Sequence, residues 1–489
     1  MHYKRILLIV IVMIFMTGSL SVKAATTASS VPPLAPWDSE VVDKLTGGSV
    51  GSHVSIAHYK ENGRAYVSYY DATNHDLKLA YQVDPGTGNC PGNLDWKCST
   101  VDDGGPYVLQ HDVGQFSSTD IVTKTVYLTA SPQGEINAQL PHYHYAKIGI
   151  SYYDATVDAL RFAIGSCNDA TVCTWTKTTV DDDTSDIFAD NIGQYSSFYF
   201  GTDATPIIFY QARTTGLGDF YGYVKHAWQT PPSIPIAGCQ AGWSCEIVAQ
   251  SLTNRAYGSY ISADGGRVAF YNPINGSLVV ANPTGSIMSN NCGLGNYWFC
   301  AVIDNNGDVG KFASLHNDGV NPMRVAYYDA TTGKVKYAIR TTADTGNCTD
   351  NDYNCFAVDT IGTTTLDINI GISLTLDAQG EPVIAYQNFL EDMAPAKLKL
   401  ARPSSVYGQP IGNCGAVPPG YLFQYWQCSI LDWGGQYQNE ADYAAVSVSP
   451  AGLATVAYYE IYESAQDVFE GRLKVTQQHF AIFLPLISK

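Results

Sequence analysis

Glu440, Glu460 and Glu463 lie in the last quarter of the chain, among Trp433, Tyr437, Tyr462 and Phe469. Carboxylates set among flat aromatic rings offer acceptors for hydroxyls and apolar faces for sugar rings or peptide side chains. Two such carboxyls held about 5–5.5 Å or 6.5–9.5 Å apart could also hydrolyse a glycosidic bond. A second group, Arg213, Tyr221 and Tyr223, stands in "ARTTGLGDFYGYVK". The chain has no G-x-S-x-G elbow, no H-E-x-x-H and no Gly-rich phosphate loop. "HYH" at His142 to His144 could aim two imidazoles one way in an extended segment, but it lacks a third ligand, and no metal site is assigned. "DNNGD", Asp304 to Asp308, has the alternating oxygens of a calcium loop without its distal Glu and reads as a turn. Calcium is the one cofactor left open, and no other is expected.

These residues need a scaffold, and the scaffold is written in repeats. "AYVSYYDATNHDLKLAY" returns as "KIGISYYDATVDALRFA" and as "RVAYYDATTGKVKYA". Around each copy runs a longer unit. A Gly-led strand such as "GQFSST" or "GKFASL" precedes a Gly turn, then come the "YYDAT" strand, a polar turn, the "LKYA" strand and a closing strand such as "WKCSTVDD". Runs of four to eight β-branched and aromatic residues between turn signals read as strands, and four antiparallel strands per unit make a propeller blade. The second-strand phrase recurs at Tyr69, Tyr152, Phe209, Phe270, Tyr327, Tyr386 and Tyr458, which predicts an all-β, seven-bladed propeller. The seventh unit lacks its closing strand, and "WDSEVVD" from Trp37 supplies one ahead of the first unit. The expected ring therefore closes through an N-terminal outer strand, leaving no open sheet edge.

The repeats resemble those of the sialidase-like (BNR-type) propeller superfamily and of secreted bacterial proteins with "YYD…LKYA" blades, over about residues 36 to 476. The resemblance implies the fold. Sialidases themselves have six blades, an arginine triad and S-x-D-x-G-x-x-W turns, whereas no such turn occurs here and Arg64, Arg267 and Arg324 begin second strands.

Repetition also separates scaffold from function. Asp71, Asp154 and Asp329 end second strands, where an Asp bonds turn amides, and Asp43, Asp102, Asp181, Asp304, Asp359 and Asp432 end fourth strands as expected turn caps. The doubled tyrosines are expected to pack between blades. Departures from the repeat fall in long second-to-third-strand loops of blades 3, 6 and 7 and in "DWGGQYQNEAD". On that face Arg213, Tyr221, Tyr223, Trp433, Tyr437, Glu440, Glu460, Tyr462 and Glu463 form the expected ligand site.

The two ends and the composition set the context. "MHYKR", "ILLIVIVMIFM" and "SVKA" read as a signal peptide over residues 1–24, followed by a flexible segment 25–35, the propeller 36–476 and a tail 477–489. Twelve cysteines form six local pairs, Cys90/Cys98, Cys167/Cys173, Cys239/Cys245, Cys292/Cys300, Cys348/Cys355 and Cys414/Cys428, the pattern of disulfides in an exported protein. A net charge of −18 argues against nucleic acid and polyanionic substrates. The expected protein is a monomer, secreted or on the cell surface, without a membrane span. Its expected role is to bind an extracellular glycan or protein without catalysis. The alternatives are a glycan-processing hydrolase using carboxylates of the loop-rich face and a structural surface component.

Overall fold

The computed structural model describes residues 37–479 apart from segments 107–109, 128–141, 169–171, 183–188, 215–220, 231–238, 255, 285–290, 293–296, 343, 364–369, 389–395, 408–411, 418–423, 434–438 and 467. The signal-peptide expectation and most of the tail lie outside these residues. Seven four-stranded antiparallel sheets form a seven-bladed propeller. The innermost strands are Val50–His58, Val113–Tyr127, Ala189–Phe200, Ser259–Asp264, Val309–His316, Ser373–Leu376 and Asn439–Val448. Trp37–Lys44 is the outer strand of blade 7, paired with Val468–Gln478 from Trp37↔Gln478 to Lys44↔Arg472. The ring closes as the displaced "WDSEVVD" predicts. Among the described residues no helix is long and apolar enough to cross a membrane.

Strand alternation explains where the core lies. The second strands of blades 1, 5 and 6 are buried along their length, because both of their faces meet a neighbouring blade. The apolar clusters accordingly fall between blades; one joins Leu77 and Leu79 of blade 1 to Ile148 and Ile150 of blade 2.

Six of the seven junctions carry the same polar lock. The first tyrosine of "YYD" donates to the fourth-strand Asp of the preceding blade, and the Lys of "LKYA" pairs with that Asp. Tyr69 bonds Asp43 at 2.7 Å with Lys78 at 2.5 Å. Tyr152 bonds Asp102 at 2.6 Å with Lys177 at 2.8 Å, while Arg161 stands in the repeat's Lys position. Tyr210/Asp181/Lys225, Tyr327/Asp304/Lys336, Tyr386/Asp359/Lys399 and Tyr458/Asp432/Lys474 repeat the lock. The fourth-strand aspartates are thus more than the expected turn caps; Asp304 Oδ1 also accepts the Asn306 amide, at 3.1 Å. At the junction of blades 3 and 4 all three members change together, to Ala249, Phe270 and Val279. Removing the acid, the phenol and the cation at once leaves no buried charge unpaired. The aspartates ending second strands cap turns as expected, Asp71 Oδ1 accepting the amides of Thr73 and Asn74.

A second lock runs round the axis. Ser55, Ser118, Ser197, Ser262, Ser314 and Ser373 each accept a backbone amide from the inner strand of the next blade, at 2.8–3.0 Å. This satisfies edge amides that would otherwise face the channel unpaired. Blade 7 has Ala445 at this position, so the seam with blade 1 lacks the bond.

Local disulfides brace the outer strands, joining Cys90–Cys98, Cys239–Cys245, Cys292–Cys300, Cys348–Cys355 and Cys414–Cys428. Cys173 is disulfide-bonded too and stands directly across the ladder from Cys167.

Candidate functional site

The inner strands are bulged, and the bulges build the floor of the axial site. In blade 1 the register slips between Val50 and Ser52 and again between Ser52 and Ser55, with the same double slip in blades 2, 3, 5 and 7. A glycine opens the bulge because the preceding blade passes too close for a side chain. A Cβ on Gly114 would sit 2.8 Å from the Leu77 Cα, and one on Gly310 would sit 2.7 Å from the Leu278 Cα. In blades 1 to 5, two residues after that glycine, the backbone enters the left-handed region, as it does at Gly371 and Tyr443, and His53, Phe116, Tyr195, Tyr260, Phe312 and Tyr443 turn their side chains to the axis, with Gly371 at the seventh position. Neighbouring rings lie 4.3–5.1 Å apart, centroid to centroid. Their planes differ by 44–61°, close to one seventh of a turn, so the rings follow one another like the leaves of an iris. His53 belongs to this iris, and burial drives its pKa down to about 3.

Beyond the iris, toward the first-to-second-strand turns, an axial cavity of about 830 Å³ is lined by all seven blades. Its walls include Ile56, Ile121, Phe198, Leu315, Leu374 and Val446, and its polar groups include His58, Asp120, Asp264, His316, Asp318 and Asp377. The fourth residue past the iris is Ala57, Asp120, Tyr199, Asp264, His316, Thr375 or Ser447 by blade, so His316 occurs once. Its Nδ1 lies 3.7 Å from Asp264 Oδ2 and its Nε2 lies 3.7 Å from Asp318 Oδ2.

The two carboxyls beside His316 are pushed in opposite directions. Burial raises Asp264 above the usual carboxylate range, although the Asn317 amide donates to its Oδ2 at 2.7 Å and His316 lies near. Burial also works against ionising Asp318. The amide and side chain of Asn321 and the amide of Val320, all bonded to it at 2.8–2.9 Å, nevertheless hold it at about 2. Across the cavity Asp120 is raised by burial against the amides of Phe200 and Ile121. Burial lowers His58 to about 4, and its ring bridges Ser447 and Thr455 of blade 7. Asp377 caps its own turn through the amides of Gln379 and Glu381. A carboxyl whose pKa is raised beside one whose pKa is lowered is the arrangement an acid–base pair needs.

The residues expected to form a ligand site sit on the other face, in three places. Arg213 is half-buried opposite Gly222 in blade 3, where the Tyr221 and Tyr223 rings lie 6.3 Å apart. Trp433 ends the outer strand of blade 6, is 64% exposed and has Lys397 4.7 Å from its ring centre. Blade 7 holds the rest on a long hairpin. Glu460 is buried between Arg472 and Lys474, Tyr462 donates to Glu470 at 2.5 Å, and Glu463 faces Phe469 near the tip. Glu440 stands across the ladder from Glu460, and Tyr437 lies outside the described residues.

The carboxylate motif read from the sequence has structural partners. Of "DNNGD", Asp304 is held in a blade lock and Asp308 accepts from Tyr271 and Lys311. The two clusters with metal-like spacing, Asp181/Cys239/Cys245 and Asp359/Cys414/Cys428, consist of a lock aspartate beside a disulfide. The sequence analysis does not single out the His316 group, whose members lie in or beside first-to-second-strand turns; comparing the inner strands position by position would have done so.

No protein-family model matches the chain, and no curated protein does. Among solved structures it matches the GH93 α-L-arabinofuranosidase of Fusarium graminearum in two complexes. With arabinobiose the identity is 9%, over 89% of this chain and 96% of that one, at a TM-score of 0.37. With an iminosugar inhibitor the identity is 9%, over 91% and 98%, at 0.38. A bifunctional GH43-CE protein of Bacteroides eggerthii matches at 8% identity over 90% and 63%, at 0.28. The expectation of a non-catalytic binding propeller is corrected here, since the matched structures are glycoside hydrolases, the class held second from the sequence. The likeness is too distant to lend this chain a residue or a substrate.

Proposed function

We propose that the chain is an exported glycan hydrolase of sialidase-like fold that acts as a monomer on neutral extracellular glycans from the axial cavity. The supporting observation is the His316 group, in which one carboxyl is raised and one lowered on either side of a single imidazole. Two contacts and an imidazole width bound the carboxyl separation at about 10 Å, and the roughly 6.5–9.5 Å of inverting pairs falls within that bound. Asp264, protonated, donates its proton to the glycosidic oxygen as the C–O bond breaks. Asp318, ionised, takes a proton from the water that attacks the anomeric carbon. His316 spaces the two, and apolar walls such as Phe198 and Leu315 suit the C–H faces of sugars. The charge of −18 disfavours polyanionic glycans. Export is supported by the N-terminal charge and hydropathy pattern and by the disulfides.

The test is release of reducing ends from a panel of neutral polysaccharides and aryl glycosides. Asp264→Asn and Asp318→Asn should each lower the rate by about 100-fold or more, as loss of a general acid or base does. A wild-type protein inert on the whole panel, or variants that keep its rate, would overturn the proposal.

A further inference from the structure

Six of the seven iris positions carry bulky side chains at φ between +51° and +58°, and the seventh, in blade 6, is Gly371 at φ +45°. Glycine at positive φ ordinarily needs no further account, because L side chains avoid that region. That account fails here, since six sister positions hold rings in the same conformation at the same place in their blades. What distinguishes blade 6 is the missing side chain. Its consequence is a slot between Phe312 and Tyr443, part of a void of about 170 Å³ within the iris. At about 30 Å³ per water, that void has room for about five waters or one monosaccharide.

The dimensions favour a flat occupant. Single steps round the iris are 4.3–5.1 Å. Two steps, from Phe312 to Tyr443, therefore span on the order of 8 Å, which takes one ring tilted against both neighbours as the sister rings are. Asp264 and His316 stand four residues beyond Tyr260 and Phe312 on their strands. At about 3.3 Å per residue the slot lies about 13 Å below them, a trisaccharide-length span. Phenol hydroxyls of Tyr260 and Tyr443 belong to the same wall, which suits an occupant with apolar faces and a polar rim. We infer that the Gly371 slot is a distal sugar subsite, in which one ring of a neutral glycan takes the place of the missing side chain and packs against Phe312 and Tyr443. Its place in a substrate rests on the hydrolase reading, whereas sugar binding by the slot does not.

The test is binding of methyl glycosides of glucose, galactose, xylose and arabinose, by saturation-transfer NMR and calorimetry. The wild-type protein should bind at least one of them. Gly371→Phe, which completes the iris in a conformation its sisters already adopt, should weaken that binding by at least about tenfold. Phe312→Ala should do the same by removing a packing face, and Gly371→Ala should stay within about twofold. If Gly371→Phe does not fold by circular dichroism, the contrast between Phe312→Ala and Gly371→Ala decides. The binding is read without any hydrolysis, so a failed hydrolase reading leaves this arm intact. Equal binding by Gly371→Phe and wild type, binding of none of the glycosides, or binding of indole alone would overturn the inference.

Discussion

Replacing Lys336 with Met should destabilise the protein severely, and two further changes should repair it. Asp304 is 2% exposed and accepts from Tyr327 Oη at 2.7 Å and from Lys336 Nζ. Burial on its own would raise the Asp304 pKa, yet the bond and charge of Lys336, with help from Tyr327, hold it below the usual range. Met keeps the length of the side chain and removes the charge, leaving a buried carboxylate without its cation. Breaking such a pair from one side costs about 3–5 kcal/mol. The junction of blades 3 and 4 shows a working alternative in Ala249, Phe270 and Val279. Asp304→Ala, Tyr327→Phe and Lys336→Val together copy that set. The triple variant should recover to within about 1–1.5 kcal/mol of wild type, because no charge is left to desolvate. Guanidinium denaturation followed by tryptophan fluorescence and far-UV circular dichroism measures both. The sign with pH follows from the lowered Asp304. Its contribution is fully present above the unfolded carboxylate value of about 3.9 and is lost as pH falls through the lower folded value. The gap between Lys336→Met and wild type should therefore narrow on acidification. A cost below about 1 kcal/mol for Lys336→Met would mean that the lock is screened by water like a surface pair. A triple variant no better than the single one would show that the three positions do not form a unit.

At the seam of blades 7 and 1, Ala445→Ser should add the missing latch to the Ile56 amide and gain about 0.5–1.5 kcal/mol, seen as a raised Tm. Deleting Trp37 to Asp43 removes the outer strand of blade 7 and the Asp43 lock on Tyr69 and Lys78, so limited proteolysis should cut the Ala454–Ala465 and Val468–Gln478 hairpin first. Hydrolysis should fall on the alkaline side as Asp264, raised by burial, loses its proton, and hold on the acid side down toward about 2, where Asp318 takes one up. A pH–rate profile that does not fall on the alkaline side would contradict that assignment. Gly114→Ala should cost about 2 kcal/mol or more by calorimetry, since its Cβ meets the Leu77 backbone at 2.8 Å and φ is +114°.

Blade number, strand order and the ring closure were legible in the chain because each is a local pattern repeated. "YYDAT" is a strand and a turn whose Asp finds its amides two or three residues away, and "WDSEVVD" shows by its displacement that another blade must receive it. The partners of the fourth-strand aspartates were not legible, since the Tyr and Lys that hold each one belong to the next blade. The site stayed hidden for the same reason. Asp264 and Asp318 sit in separate blades, in turns that any surface loop could contain, and only closure of the ring sets them on either side of His316. Gly371 is the limiting case. On its own strand it reads as one more glycine at a bulge, and it becomes a slot only when six other strands bring their rings to the same axis. A repeat encodes how each blade folds, whereas the residues that face the axis acquire their meaning from neighbours that sequence distance keeps apart.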